Sequence, residues 1–365
     1  MEMLRFVKIF IAMLCFIYNV NIASAQKFTQ SSSVEKSFLA NGNTTLSVIN
    51  KYGKVQVSVW ENDSVQVLVN VWVESKDPKK LNSLISNIKF DFNQNQYNIT
   101  ARTIFASENN LFSDIVKISD ILVSNESQIK VDYTIYAPAY VNVNINNKFG
   151  DVYIGNLTGT LQLSVSNGNV KVEDIKGNSD IRLDFCKRAV IKSLSTAQLQ
   201  VNYSGVQISS VQQLNLISKS SEIDIASGSV LKVSSKRDKF TVGNVNYFYG
   251  DTYFSDFMVE NLVNELSMEL KYGQIELKSV DKAFSLLNMN GKLTDITLYL
   301  KKASAYQIEI RESRAFLDLP YKTGMLQQKQ LPENQTLLFG DYGSGNSKSK
   351  LSVIMEGGSL RISTE

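Results

Sequence analysis

Residues 205–233 read GVQISSVQQLNLISKSSEIDIASGSVLKV. Val206 and Ile208 are followed by Leu214 and Leu216, and Ile223 and Ile225 by Leu231 and Val233, so one two-strand pattern is written twice in succession. In each copy an apolar position stands three residues before another, Ile208 before Val211 and Ile225 before Gly228. Working outward, that spacing occurs nine times: Ile154/Leu157, Val172/Ile175, Ile191/Leu194, Ile208/Val211, Ile225/Gly228, Val242/Val245, Val259/Leu262, Leu277/Val280 and Leu293/Ile296. The steps are 16 to 19 residues, and one glycine is the only lapse. Such a period predicts an all-β fold, a parallel β-helix-like β-solenoid in which each turn of chain stacks on the last.

A turn of about 17 residues with two strands puts each strand roughly 4.8 Å from its equivalent one turn on, with the apolar faces wrapped around one core. Independent hairpins would call for tight Asn-Gly or Asp-Gly turns, yet within 146–304 only Asn167-Gly168 and Asn290-Gly291 qualify. Elsewhere the corners are Ser-Ser, Lys-Ser and Ser-Gly, which suit open bends. Asn147-Lys148-Phe149-Gly150 repeats Asn50-Lys51-Tyr52-Gly53 and partly Leu270-Lys271-Tyr272-Gly273, so each aromatic is expected to stack on the neighbouring turn just before a glycine corner. No repeat carries a recurrent reactive side chain, so the period speaks to architecture and leaves chemistry open.

Residues 26–145 read as an N-terminal sheet with one helix, capping a solenoid at 146–304; residues 305–365 read as a C-terminal cap. Val55, Val57 and Val59, then Val65, Val67, Val69 and Val71, alternate as half-buried strands. Asp77 offers an N-cap, Pro78 the first helical position, and Leu81, Leu84, Ile85 and Ile88 one apolar face. Ile104–Ser127 reads as a loop or short helix. Leu351–Ile354 and Leu360–Ile362, around Gly357-Gly358, read as a closing hairpin. Uncovered solenoid ends would expose unpaired strand edges, which is why covers are expected at both.

Residues 1–25 carry the marks of a signal peptide: Arg5 and Lys8, an apolar stretch from Ile9 to Tyr18, and Ala23-Ser24-Ala25 before a cleavage point at Gln26. Leu14 rather than a small residue precedes Cys15, so lipidation there is not expected. No later apolar run reaches the roughly 18 residues of a spanning helix, so the mature chain is expected to have no transmembrane segment. Lys plus Arg number 38 against 35 Asp plus Glu, and losing Glu2, Arg5 and Lys8 leaves 36 against 34, which gives no footprint for nucleic acid. Histidine is absent, excluding Ser-His-Asp and Cys-His nucleophiles and imidazole metal sites. Cys186 alone survives cleavage, and an exported chain with one cysteine has no internal disulfide; it reads as a small buried residue in the strand near Leu183–Phe185. No cofactor is called for.

Tyr133-Thr134-Ile135-Tyr136-Ala137-Pro138, Val141-Asn142-Val143-Asn144-Ile145 and Gly150-Asp151-Val152-Tyr153-Ile154, with the earlier Gly53–Val57 strand, resemble the bacterial putative-adhesin family of β-solenoid domains. The resemblance covers most of residues 40–365. It implies an exported envelope or cell-surface protein and transfers no catalytic or binding residue.

Two stretches compete for a chemical role. Six aromatics crowd Tyr247–Phe257, more than one narrow core can face, so Tyr247, Tyr249 and Tyr253 either share a surface with Asp251 and Asp256 as a ligand-binding face or stack as a ladder between turns. Glu173, Asp174, Asp180 and Asp184, beside Lys171 and Arg182, form either a polysaccharide-lyase-like site or a solvated face of alternating charge. Lys236-Arg237-Asp238-Lys239 reads as a solvated basic turn, and the Ser33-Val34-Glu35-Lys36 match to Ser-x-x-Lys as chance. No loop carries the ligand spacing of a calcium site. The leading expectation is a non-enzymatic binding, adhesion-like or structural module in the periplasm, at the outer membrane or on the cell surface. Its partner would be a protein or glycan. A carbohydrate-active enzyme and a partner protein in envelope signalling are the alternatives.

Overall fold

The structure, a computed structural model, describes residues 27–105, 127–321, 325–343 and 348–364. The leader and nearly all of the loop or short helix read into Ile104–Ser127 lie outside the described residues. The described residues fall into two compact units: 27–32, 72–88, 105 and 127–129, and 33–71, 89–104, 130–321, 325–343 and 348–364. In the first, the helix Pro78–Ser86 starts where its capping residues direct. Asp77 is extended at the N-cap and accepts the Lys79 N–H at 2.8 Å, while Leu81 and Leu84 are buried. No helix among the described residues is long and apolar enough to cross a membrane.

The second unit is all-β, built on a long, mostly parallel, unclosed sheet. Each turn runs along a back strand, bends, and returns along a front strand to a corner. In Gly205–Lys219, Val206 and Ile208 point inward from the back half and Leu214 and Leu216 from the front half. Val211 points inward at the bend between them, so inward positions two apart on each strand become three apart across the bend. The recurring three-residue spacing therefore marks the bend. Ile208 lies beside Ile191 and Ile225, and Leu216 beside Leu199 and Val233, with every one of these side chains buried. At about 1.5–3 kcal/mol for each buried aliphatic side chain, these columns are the main source of stability, and Cys186 is free.

The column of back-strand residues runs unbroken from Ile154 to Leu277, but its ninth member differs from expectation. Leu277 lies beside Leu298 and Val280 beside Leu300, whereas Leu293 is exposed at a corner with φ 47°. A hydrogen-bonded turn at Asp281–Phe284 lengthens this repeat, so counting on at the usual period falls short of the bend.

Parallel stacking also extends beyond 146–304. Thr45–Lys51 pairs with Asn142–Lys148, and Val55–Trp60 with Val152–Ile154. On their other side lie Asn98–Phe105 and Ser127–Pro138. The first turn of the chain is thus held between turns made later in sequence. The last turn is held likewise: Lys350–Thr364 lies between Leu286–Leu300 and the strands Tyr306–Ser313 and Phe316–Asp318. Leu351–Ile354 and Leu360–Ile362 pair with these neighbours and not with each other, so they are no hairpin. Gly357 and Gly358, at φ 70° and 81°, form a corner of the stack instead. The hairpin of this region is Gln327–Leu331 with Gln335–Tyr342, whose second strand runs antiparallel to Tyr306–Ser313 and covers that edge.

Each front strand ends on a residue with positive φ, among them Tyr52, Phe149, Phe185, Tyr203, Phe254 and Tyr272. A left-handed residue with a side chain costs about 1–2 kcal/mol. Ring stacking between successive corners offsets part of that cost: Tyr52 on Phe149 at 5.5 Å, Phe185 on Tyr203 at 5.1 Å and Phe254 on Tyr272 at 5.0 Å. The following residue faces neighbouring backbone, and a Cβ on Gly150 would stand 1.9 Å from the Gly53 carbonyl oxygen. Where serine or aspartate replaces glycine, side chains link the corners. The backbone N–H groups of Cys186, Ser204, Ser221 and Asp238 donate in turn to Ser204, Ser221, Asp238 and Ser255, at 2.9, 3.2, 2.7 and 3.1 Å.

Two residues are thereby relocated. Cys186 is fully buried, but at a corner just past its strand, and burial raises its thiol pKa. Asp238 is buried rather than part of a solvated basic turn. Its carboxylate accepts the Ser218 and Ser235 hydroxyls, each at 2.7 Å, and the N–H groups of Ser221 and Lys236 at 2.7 and 3.0 Å.

Asp238→Ala should remove about 3–5 kcal/mol of stability, because it strands several buried donors at once. An unchanged urea midpoint would contradict the ladder. A second expectation concerns alkaline pH. Burial pushes the Tyr133 hydroxyl up to about 12 against the pull of its 2.8 Å bond with Thr103, and burial also carries Tyr306 to about 12. The unfolded chain releases these protons from about pH 10, ahead of the folded one, so stability holds below pH 10 and falls between 10 and 12. Denaturant titrations across that window should show the fall, and Tyr133→Phe should flatten it.

A candidate binding face on the front strands

Residues between the inward ones on each front strand point outward, and the parallel register lines them up in rows along the stack. One row runs Asp180, Gln198, Asn215, Lys232, Tyr249, Ser267 and Asn288. The next runs Arg182, Gln200, Ile217, Ser234, Asp251, Glu269 and Asn290. Together they line a groove of about 760 Å³. Amides, mixed charges, one tyrosine and exposed aliphatic side chains at Ile217 and Ile354 give it donors, acceptors and apolar contact.

Tyr247, Tyr249, Asp251 and Tyr253 alternate along Lys239–Tyr253 and do share this front face. Tyr247 sits beside Glu265 at a register shift, 36 % exposed. Tyr249 lies in the groove, where partial burial, and then the Glu265 carboxylate to which it hydrogen-bonds, raise its hydroxyl pKa. Asp251 accepts the Ser234 hydroxyl at 3.1 Å. Tyr253, 39 % exposed, meets Phe254 and Tyr272 edge-on at 4.6 and 5.4 Å. Stacking accounts for the remaining rings: Phe240 packs on Phe257 at 4.5 Å, and Phe248 lies tilted against it at 5.9 Å, all buried. The surface and the ladder thus each claim part of the stretch.

Asp256 is not on this face. Phe254, at φ 55°, turns the chain, Ser255 is buried, and Asp256 begins the next back strand beside Lys239 and Gln274. It lines a separate back-face pocket with Glu276 and Arg361. The other carboxylates divide in the same way. Asp180 and Asp184 are on a front strand, and the Asp184 carboxylate accepts the Asn202 amide at 2.8 Å. Glu173 and Asp174 are on a back strand, paired with Lys171 at 2.7 Å and Lys192 at 2.6 Å. Lys171 therefore stands apart from Arg182, which donates to Gln200 at 3.1 Å. The exposed pairs are each worth under about 1 kcal/mol and leave a solvated face of alternating charge.

A third outward row lies against the corners: Asp184, Asn202, Lys219, Lys236, Tyr253, Lys271 and Lys292. Its lysines escaped the reading by composition because over the whole chain basic residues outnumber acidic ones only by 38 to 35. Lysine preceding a corner residue, in Lys219-Ser220, Lys236-Arg237, Lys271-Tyr272 and Lys292-Leu293, is the signal that finds them.

No family model and no curated protein matches the chain. Among solved structures it is similar to a putative cell adhesion protein of Clostridium sporogenes at 12 % identity, over 92 % of this chain and 100 % of that one, with a TM-score of 0.18. It is also similar to a putative adhesin of Bacteroides fragilis at 11 % identity, over 91 % and 97 %, TM-score 0.24. A putative adhesin of Parabacteroides distasonis matches at 8 % identity, over 91 % and 97 %, TM-score 0.25. The last two carry the description of the family that the sequence resembles. Superposition at these scores is poor, and no property of theirs is transferred to this chain.

Proposed function

We propose that the protein is an exported β-solenoid of the cell envelope that binds a surface glycan or protein through its front face, without catalysis. The observation that carries this reading is the groove itself: ordered rows of amide, hydroxyl, charged and aromatic side chains on a rigid sheet, with Tyr249 and Asp251 at its centre. Repetition of one strand type along the stack gives an extended surface suited to an extended partner. The carboxylates that a polysaccharide lyase would gather are divided between front and back strands, and Glu173, Asp174 and Asp184 are held in ion pairs or a hydrogen bond, which speaks against the enzyme reading. Export rests on the leader, and the turns near each end, with the hairpin Gln327–Leu331/Gln335–Tyr342, serve as covers in this account.

Fractionation should recover the chain in the envelope with Gln26 at its N-terminus; cytoplasmic protein with an intact leader would contradict export. On a glycan array and on whole cells, Tyr249→Ala and Asp251→Asn should each weaken binding about tenfold, equivalent to about 1.4 kcal/mol. Asp256→Asn should not weaken it. Wild-type turnover of a polysaccharide that disappears in Asp180→Asn or Asp184→Asn would replace binding with catalysis.

A further inference from the structure

We infer that the corner edge of the front face is a binding strip for an acidic polysaccharide, a single extended chain bearing carboxylates on its sugar rings. This deepens the proposed reading and rests on it. The strip is two adjacent lines: the third outward row and the corner residues that follow it. From one turn to the next they read Asn202-Tyr203, Lys219-Ser220, Lys236-Arg237, Tyr253-Phe254 and Lys271-Tyr272. Four cations and six aromatic or polar partners stand in these five turns without a carboxylate among them, and Asp184 of the row lies one turn before.

Two of these cations, Lys219 and Lys236, are placed by rings. Lys219 Nζ lies 5.6 Å from the centre of the Tyr203 ring, and Lys236 Nζ 5.7 Å from that of Tyr253. A cation over a ring keeps its charge and most of its donors for a ligand. Lys292, at the end of the row, is instead paired with Glu356 at 2.9 Å, which bounds the strip. The aromatic residues are open: Tyr203 is 47 % and Phe254 49 % exposed. Both hold a left-handed backbone that glycine would adopt at lower cost. Phe185, 58 % exposed, extends the line one turn further by stacking on Tyr203. Between Lys219 and Lys236 the surface dips into a groove of about 490 Å³ that Asn202, Ser234, Asp251 and Tyr253 also line.

The shape of the charge selects the ligand. Turns repeat every 4.8 Å or so, which sets Lys219, Lys236 and Lys271 at about 0, 5 and 14 Å along a line. A uronate-type chain presents flat C–H ring faces to stack on exposed aromatics and carboxylates at ring spacing to meet the ammonium groups. The cationic line is only one side chain wide, because Asp251 and Glu269 stand in the neighbouring row. A broad anionic surface such as a membrane would press against both acids. A single glycan chain lies along the lysines and donates its hydroxyls to those carboxylates.

The test is titration of the mature full-length chain with an oligogalacturonide, a neutral β-glucan oligosaccharide of equal length, and phosphatidylglycerol–phosphatidylcholine vesicles. The inference expects binding to the oligogalacturonide that weakens as salt rises. The triple variant Lys219→Gln/Lys236→Gln/Lys271→Gln should lower its affinity at least about 30-fold with an unchanged melting temperature, and Tyr203→Ala about fivefold. A back-strand control, Lys171→Gln/Lys192→Gln/Lys278→Gln, removes the same charge and should leave affinity within about twofold. Unchanged affinity in the first triple variant, equal loss in the control, or tighter binding to the vesicles would each overturn the inference. Binding of a neutral glycan or a surface protein through Tyr249 and Asp251, with none of the oligogalacturonide, would overturn it while the front-face reading stands. Absence of any glycan or envelope binding would overturn both.

Discussion

Backbone hydrogen bonding between equivalent residues one turn apart is the constraint on which everything else depends. Parallel pairing joins Ile208 to Ile225 and Gln207 to Asp224, so whatever a residue does in one turn, its equivalent must be able to do in the next. Inward positions become apolar columns, bends become a column of their own, and corners repeat a left-handed backbone. Small or hydrogen-bonding residues must follow each corner, since successive corners approach closely enough that a Cβ at Gly150 collides with Gly53. The outward rows carry no such demand. They are where the stack can vary, and where the amides, tyrosines and lysines of the front face accumulate.

The same constraint explains the ends. A parallel stack leaves unpaired strand edges, yet neither the first nor the last turn of this chain occupies one. Thr45–Trp60 and Lys350–Thr364 are each flanked on both sides by other turns, so fraying from either of these turns would require breaking two ladders at once. Antiparallel pairing of Gln335–Tyr342 then covers an outer edge.

Much of this was legible in the sequence. Eight of the nine spaced pairs exposed the bends, because three-residue spacing between inward positions arises only where one strand passes into the next, and the ninth fell on a corner. The Asn-Lys-aromatic-Gly repeats announced the stacked corners, and Tyr52 does lie on Phe149. Asp238 was not legible, since its charged neighbours Arg237 and Lys239 are exposed and only the three-dimensional approach of Ser218, Ser221 and Ser235 makes room for a buried carboxylate. Asp256 was misplaced because a corner separates it from Asp251, and a corner formed by Phe254 and Ser255 carries no glycine to mark it. Insertion of the first and last turns between later ones was hidden as well, since local periodicity records which face a residue takes and not which turn becomes its neighbour. The lysine row lay in plain view but acquires meaning only when residues 17 or 18 apart are placed side by side.

Cysteine trapping tests the stacking order most directly. Ser47 lies in register with Thr100 on one side and Asn144 on the other, and adjacent parallel strands are within disulfide reach whereas alternate ones, about 10 Å apart, are not. The account predicts that Ser47→Cys oxidises with Thr100→Cys and, separately, with Asn144→Cys, and that Thr100→Cys with Asn144→Cys stays reduced. Ready crosslinking of that last pair would contradict the insertion of the first turn and with it the order of the stack.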